Sequence, residues 1–331
     1  MRRGLGVLAG ILLGLAAASQ AWAADPSPTP GASWWTGYLA HSELVRLPDG
    51  RSINLYCEGK GGPVVVLDAG LGDGAWSWSQ VQDQIAQRTR VCAYDRAGYG
   101  RSSPGPMPRD TAAIVGDLAA ALKAAHVRGP YLLVGHSLAS FDMRLFAFTH
   151  AKDVAGMVLV DPSADWQMRR MAEVAPRIVA LNEAAYNGLR PCATSPRPPE
   201  LAKLCALLPP GAPAEAKAYL TETRGPAYYQ AMLAELDSFT KADNEELTAA
   251  KRSLSAKPLI VLTAGDLAVP GLSADEAAAT HKVWSTMHDE IAGLSTRGVN
   301  RTVEGSSHYI HQIKPQVVID AVFEVLDAAR R

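Results

Sequence analysis

The sequence predicts an α/β protein. Its mostly parallel, doubly wound sheet should be covered by helices on both faces and interrupted by an inserted block of helices. Three observations carry this reading. Short apolar runs bounded by turn residues alternate with helical patterns, as strands buried on both faces do. The alternation stops near Asp165 and resumes near Leu259, and the stretch between is mainly helical in pattern. A structureless loop of that length is improbable, since loops beyond about 15 residues are uncommon in compact domains. Finally, 48% of the 331 residues are hydrophobic and 20% charged, enough apolar matter to bury a core. That length suits one large domain with an inserted subdomain, or two small domains.

Residues 1–23 read as a secretory signal peptide. Arg2 and Arg3 form a short positive region, Leu5 to Ala18 an apolar one, and Ala21-Trp22-Ala23 an A-x-A cleavage site before the helix-breaking Asp25-Pro26-Ser27-Pro28. The alternative, an uncleaved anchor, needs roughly 20 apolar residues to span a bilayer, and this run is shorter. Cleavage near Ala23 makes the protein exported, to the periplasm or the medium. No later stretch is long and apolar enough to cross a membrane. Residues 24–37, rich in Pro, Gly and Ser, read as a mobile linker. The remainder divides into a core, 38–165 and 256–331, and a helical cap, 166–255.

Within the core, Ser52–Cys57 alternates after the turn Pro48-Asp49-Gly50. Pro63–Leu67, Val91–Tyr94, Tyr131–Val134, Gly156–Val160 and Leu259–Leu262 are buried-strand runs. A short strand fits Arg301–Glu304. Helical patterns cover Trp76 to Arg88, Thr111 to Ala125, Leu138 to about His150, Ala274 to about Leu294 and Pro315 to Ala329. In the cap, Pro196–Pro199 and Pro209–Pro213 break the helices. Trp76 and Trp78 are expected to pack a helix on the sheet or to line a pocket mouth. No repeat of the kind that builds solenoids or propellers is present. Lys+Arg is 32 against Asp+Glu 33, a net charge of -1, which argues against a nucleic-acid partner.

Gly135-His136-Ser137-Leu138-Ala139 carries the chemistry. It follows a predicted strand and opens a predicted helix, the context of a G-x-S-x-G nucleophile elbow. The turn is so tight that the positions two before and two after the serine must be small; here they are Gly135 and Ala139. This geometry lifts the Ser137 hydroxyl above the sheet and aims a helix N-terminus at it. The Leu138 amide can then donate to an oxyanion. A buried serine beside a glycine turn is the bland alternative. A serine hydroxyl needs a base, and His308, in the loop before the last helix, is the candidate. His136 lies inside the elbow and is expected to pack; His311 caps the final helix or faces solvent. Two aspartates at strand ends compete to orient His308. Asp161 follows Gly156–Val160 and ranks narrowly first; Asp266 follows Leu259–Leu262 and is the alternative. The second oxyanion donor is assigned to the Leu71 amide in Asp68-Ala69-Gly70-Leu71-Gly72-Asp73-Gly74, where glycines allow close backbone approach. Those glycines also serve a tight strand-to-helix connection. No metal or organic cofactor is called for.

The cysteines are even in number, and an exported chain meets an oxidising compartment. Four cysteines allow three pairings. Cys57–Cys92 and Cys192–Cys205 are favoured, against free buried thiols. No C-x-x-C is present, and the Cys/His spacings do not match a zinc site.

Taken together, Leu67–Gly72, Tyr94-Asp95-Arg96-Ala97-Gly98-Tyr99-Gly100-Arg101-Ser102, Gly135–Ser140, Val158–Pro162 and Gly305–His308 make the chain resemble the α/β-hydrolase fold family from about Leu44 to the C-terminus. The resemblance is specific for the fold and not for a substrate. It implies a serine hydrolase that cleaves a carboxylic ester or related acyl bond through an acyl-enzyme, on a small-molecule substrate. A serine at the elbow speaks against haloalkane dehalogenases and epoxide hydrolases, which carry an aspartate there. Peptidase, thioesterase, acyltransferase or carbon–carbon hydrolase activity would use the same residues, and a non-catalytic binding protein could keep the fold. Three departures from the family pattern stand out. Ala139 replaces the second elbow glycine. Asp68-Ala69 stands where many members have His-Gly, which removes a side chain that often braces the loop. Asp266 is two residues short of the usual acid position, which is why Asp161 ranks first. The Asp95–Ser102 segment is expected to fix a sharp turn near the pocket.

Overall fold

The apolar runs form one eight-stranded sheet. A computed structural model describes residues 32–205, 214–266, 269 and 271–331. The signal peptide 1–23, the first part of the expected linker and the Pro209–Pro213 break lie outside the described residues. The strands are β1 (Glu43–Arg46), β2 (Ser52–Glu58), β3 (Val64–Asp68), β4 (Val91–Tyr94), β5 (Tyr131–His136), β6 (Val154–Val160), β7 (Leu259–Ala264) and β8 (Gly298–Val303). Their order is β1-β2-β4-β3-β5-β6-β7-β8. Only the β1–β2 and β2–β4 pairings are antiparallel; the rest run parallel. β1 was not foreseen: of its four residues only Val45 is buried, too little pattern to read.

The helices are α1 (Ala32–His41), α2 (Gln82–Ala86), α3 (Thr111–Ala124), α4 (Ala139–Thr149), α5 (Gln167–Ala172), α6 (Arg177–Asn187), α7 (Pro199–Leu204), α8 (Ala214–Thr223), α9 (Pro226–Phe239), α10 (Ala242–Ala250), α11 (Ala274–Ala292), α12 (Ile310–Ile313) and α13 (Pro315–Arg330). Side-chain alternation along the strands sorts them into two layers. Val64, Val66, Leu133, Met157, Leu159 and Val261 pack with Leu118 of α3, Phe141 of α4 and Trp284 of α11. Their neighbours Val65, Leu67, Leu132, Val134, Val158 and Ile260 pack with Trp34 of α1, Ile85 of α2 and Val322 of α13. Caps set some helix ends. Asp110 accepts from the Ala113 amide at 2.9 Å to start α3, and Ser273 and Glu276 form a capping box on α11. Between β6 and β7 lie α5 to α10, the segment read as the cap. Among the described residues, no helix is long and apolar enough to cross a membrane.

Two readings need correction. The linker 24–37 is helical from Ala32 onward. Trp34, Trp35 and Tyr38 are buried there, Trp34 stacks on Tyr38 with ring centroids 5.0 Å apart, and the Tyr38 hydroxyl donates to Asp95 at 2.6 Å. Aromatic burial of this size outweighs a Gly- and Ser-rich composition. The single helix expected over 76–88 is a 3-10 turn, Ala75–Trp78, followed by the short α2. Trp76 and Trp78 are both buried, and two residues apart on an α-helix they would face opposite sides.

Disulfides join Cys57 to Cys92 and Cys192 to Cys205. The first staples directly opposed residues of β2 and β4. The second lies in the inserted segment, packed with Tyr228, Tyr229 and Met232.

Candidate active site

Ser137 sits between the end of β5 and the start of α4, in a left-handed backbone conformation with φ +52°. A non-glycine residue there costs of order 1–3 kcal/mol, so the surroundings must hold it. The Ser137 amide donates to Val160 O at 3.1 Å, and the Ser163 amide donates to Ser137 O at 2.9 Å. The elbow is thus pinned to the end of β6. A Cβ on Gly135 would lie 2.8 Å from Met143 Cγ and 3.0 Å from Ala139 O, which is why this position must be glycine. The methyl group of Ala139 fits, fully buried. Leu138 forms the N-terminal end of α4.

His308 lies in the loop between β8 and α12. Its Nε2 is 2.9 Å from Ser137 Oγ and its Nδ1 2.6 Å from Asp161 Oδ2. Asp161 is fully buried at the tip of β6, with φ +40°. Its other oxygen, Oδ1, accepts from the Ala264 amide at 2.9 Å and from Trp284 Nε1 at 2.8 Å. Burial alone would raise the Asp161 carboxyl; the His308 hydrogen bond and charge outweigh it and hold the group below its ordinary value. An ionised Asp161 requires the imidazole to donate from Nδ1, which leaves the Nε2 lone pair facing the serine hydroxyl.

Asp266, the alternative acid, is exposed. Its backbone amide donates to Ser306 O at 3.0 Å, which ties down the loop leading to His308. β7 runs to Ala264, two residues past the predicted end at Leu262. Of the two aspartates, the fold brings Asp161 to His308.

Gly70, one residue before Leu71, lies against the elbow: a Cβ there would be 2.9 Å from His136 Nδ1 and 3.2 Å from Ser137 Cβ. This places the loop carrying the Leu71 amide beside the nucleophile candidate. Asp95 holds the next turn, accepting from the Ala75 amide at 2.9 Å. Gly98 and Gly100, with φ +91° and +50°, bend the following loop.

Beside the serine sits a cluster of tilted histidine rings. His136 is buried, its ring 4.6 Å from that of His308 and 4.4 Å from that of His311. Its Nε2 donates to His308 O at 3.0 Å, so it props the loop that carries the base. His311, expected at a helix cap or in solvent, is instead fully buried, with Nε2 2.8 Å from Ser77 Oγ and its ring 4.6 Å from that of Trp78. Burial and the nearby His308 push the His311 imidazole down to about 3, and burial also holds His136 well below the usual histidine range. Sequence reading missed Trp284, Ser77 and the buried His288, whose Nε2 donates to Pro162 O at 2.8 Å beside Asp161, because nothing local links them to residues so distant along the chain.

A family model described as the alpha/beta hydrolase family matches residues 64–321. The chain belongs to the alpha/beta hydrolase family. Among relatives, the Bacillus subtilis (strain 168) protein YqjL is 27% identical over 272 residues, covering 82% of this chain and 87% of YqjL. Among solved structures, the epoxide hydrolase CorEH aligns with a TM-score of 0.61 at 16% identity, over 88% of this chain and 99% of that one. A thermophilic esterase from Thermogutta terrifontis aligns with a TM-score of 0.59 at 17% identity, over 88% and 98%. At such identities the structural likeness speaks for the fold alone. Membership of the alpha/beta hydrolase family supports hydrolase activity and leaves the bond cleaved to be argued from this chain's residues.

Proposed function

We propose that this alpha/beta hydrolase is an exported serine esterase that cleaves a carboxylic ester, or a related acyl bond, of a small molecule. The observation that carries the reading is the hydrogen-bonded line from Ser137 Oγ through His308 to Asp161. In this reading His308 Nε2 takes the Ser137 proton as the oxygen attacks the ester carbonyl. The buried Asp161 carboxylate stabilises the imidazolium that forms. The tetrahedral oxyanion rests on the Leu138 and Leu71 amides. His308 then hands its proton to the leaving alcohol, the C–O bond breaks, and an acyl group remains on Ser137. Water, deprotonated by His308, attacks that acyl carbonyl, and the acid departs as Oγ regains its proton.

Residues 166–255 serve in this reading as the cap that shapes the acyl or alcohol pocket. Export is supported by the leader pattern of residues 1–23 and is compatible with the two disulfides. The serine at the elbow favours acyl transfer over the epoxide hydrolysis after which the structural neighbour CorEH is named.

The test is fluorophosphonate labelling of the purified protein together with turnover of a chromogenic acetate ester. Wild type should label and turn over, and folded Ser137→Ala should do neither. Equal turnover in the two would refute the mechanism.

A further inference from the structure

A charged cluster beneath the loop of the proposed oxyanion donor has no part in the steps above. Arg96 is almost completely buried, so each of its N–H groups needs an acceptor. Nε donates to Glu235 Oε1 at 3.1 Å. Nη1 donates to Asp68 Oδ1 at 2.9 Å and to the Ala69 carbonyl. Nη2 donates to Gly70 O at 2.8 Å and to Glu235 Oε2 at 3.0 Å. That arrangement uses the whole guanidinium fork. Two of its acceptors are consecutive carbonyls of the oxyanion loop, and two are the oxygens of one carboxylate on α9, in the proposed cap.

Peptide planarity turns this into a statement about the reacting centre. The C=O of Gly70 and the N–H of Leu71 belong to one planar trans unit and point in opposite directions. Gly70 O is held from one side by Arg96 and, at 3.1 Å, by the Asp73 amide. Holding that carbonyl fixes the direction of the Leu71 N–H on the other side. Glu235 in turn fixes Arg96: its carboxylate is fully buried and also accepts from the Tyr99 hydroxyl at 2.7 Å. The Tyr99 hydroxyl is itself 3.4 Å from the Gly72 amide, on the same loop.

We infer that Arg96 and Glu235 are positioning residues that couple the seating of the cap to the aim of the oxyanion donor. The family's loop-bracing side chain is replaced in Asp68-Ala69-Gly70; here an arginine from the loop after β4 braces the loop from below, and it is in register only while α9 supplies its carboxylate. Displacing α9 would therefore also release the brace on the oxyanion donor. This rests on the esterase reading with Leu71 as donor.

The test compares wild type with Glu235→Gln, Arg96→Lys and Tyr99→Phe on a chromogenic acetate ester. Each is first checked for fold by circular dichroism and thermal melting. Loss of an oxyanion donor costs about 10²–10³ in kcat. A misaimed donor should cost less, so Glu235→Gln and Arg96→Lys should each lower kcat by about tenfold or more. KM should stay within about twofold, and the acidic limb of the pH–rate profile should not move, because His308 and Asp161 are untouched. Tyr99→Phe, which removes one hydrogen bond from the same carboxylate, should show a smaller fall in the same parameter. A purely structural role would lower melting temperature and active fraction without this split. If Arg96→Lys does not fold, Glu235→Gln, nearly isosteric, decides alone. Unchanged kcat in folded Glu235→Gln, or a loss confined to KM, overturns the coupling while leaving the esterase reading intact. Wild-type turnover that survives Ser137→Ala would instead remove the esterase reading on which the coupling rests.

Discussion

Asp161→Asn is the substitution whose consequence the geometry fixes most tightly. Oδ1 of Asp161 already accepts two donors, the Ala264 amide and the Trp284 indole. An asparagine must keep its carbonyl oxygen there, because turning its NH2 toward two donors would leave three buried polar groups unpaired, each at about 1–3 kcal/mol. The NH2 then takes the place of Oδ2, 2.6 Å from His308 Nδ1. Since it can only donate, Nδ1 must become the acceptor and the ring proton moves to Nε2, which faces Ser137 Oγ at 2.9 Å. The ring can no longer accept the serine proton. Nor does a carboxylate remain to stabilise the imidazolium. The same tautomer error in a serine protease lowers kcat about 10⁴-fold, equivalent to about 5.5 kcal/mol of activation free energy. The expected result is therefore a folded Asp161→Asn with ester kcat reduced by about 10³–10⁴ and KM nearly unchanged. Kinetics of ester hydrolysis at neutral pH, with the fold checked by circular dichroism, make the measurement. Activity within tenfold of wild type would refute the argument.

Other expectations follow from the same geometry. Asp266→Asn should leave ester turnover within about twofold, since surface substitutions are usually near neutral and the side chain is exposed; steady-state kinetics alongside Asp161→Asn check this. Gly70→Ala should lower turnover by at least about tenfold and stability by roughly 1–3 kcal/mol, the usual cost of overpacking, because the new methyl would press on His136 Nδ1 and Ser137 Cβ; kinetics and urea unfolding separate the two effects. His311, held at about 3 against an ordinary 6.5, contributes stability that is complete above the unfolded value and fades as pH falls from 6.5 toward 3. Between about pH 7.5 and 5 that loss is roughly 2 kcal/mol. His311→Gln should show a flatter fall in unfolding free energy over this window, and an equally steep one would contradict the assignment.

The sequence determined by itself what is local. Apolar runs between turn residues marked most strands because a doubly covered sheet needs side chains that are apolar on both faces. The elbow was legible for a steric reason: a sharp strand-to-helix turn tolerates only small residues two positions either side of Ser137. His308 was legible from its loop before the final helix. What is distant along the chain was not. The ranking of Asp161 over Asp266 rested on an offset of two residues, and only the fold, by bringing Asp161 to His308 and leaving Asp266 exposed, separates them. The burial of His311 against Ser77 and Trp78 depended on a contact 234 residues long. Helix α1 was hidden because it continues a Pro-, Gly- and Ser-rich run that reads as a linker until the surfaces that bury Trp34, Trp35 and Tyr38 exist. The bracing of the proposed oxyanion loop needed Arg96 and Glu235, 139 positions apart. Propensity and steric fit act between neighbours, so a sequence displays them. Charge pairing in a buried site acts only between groups that folding has already brought together.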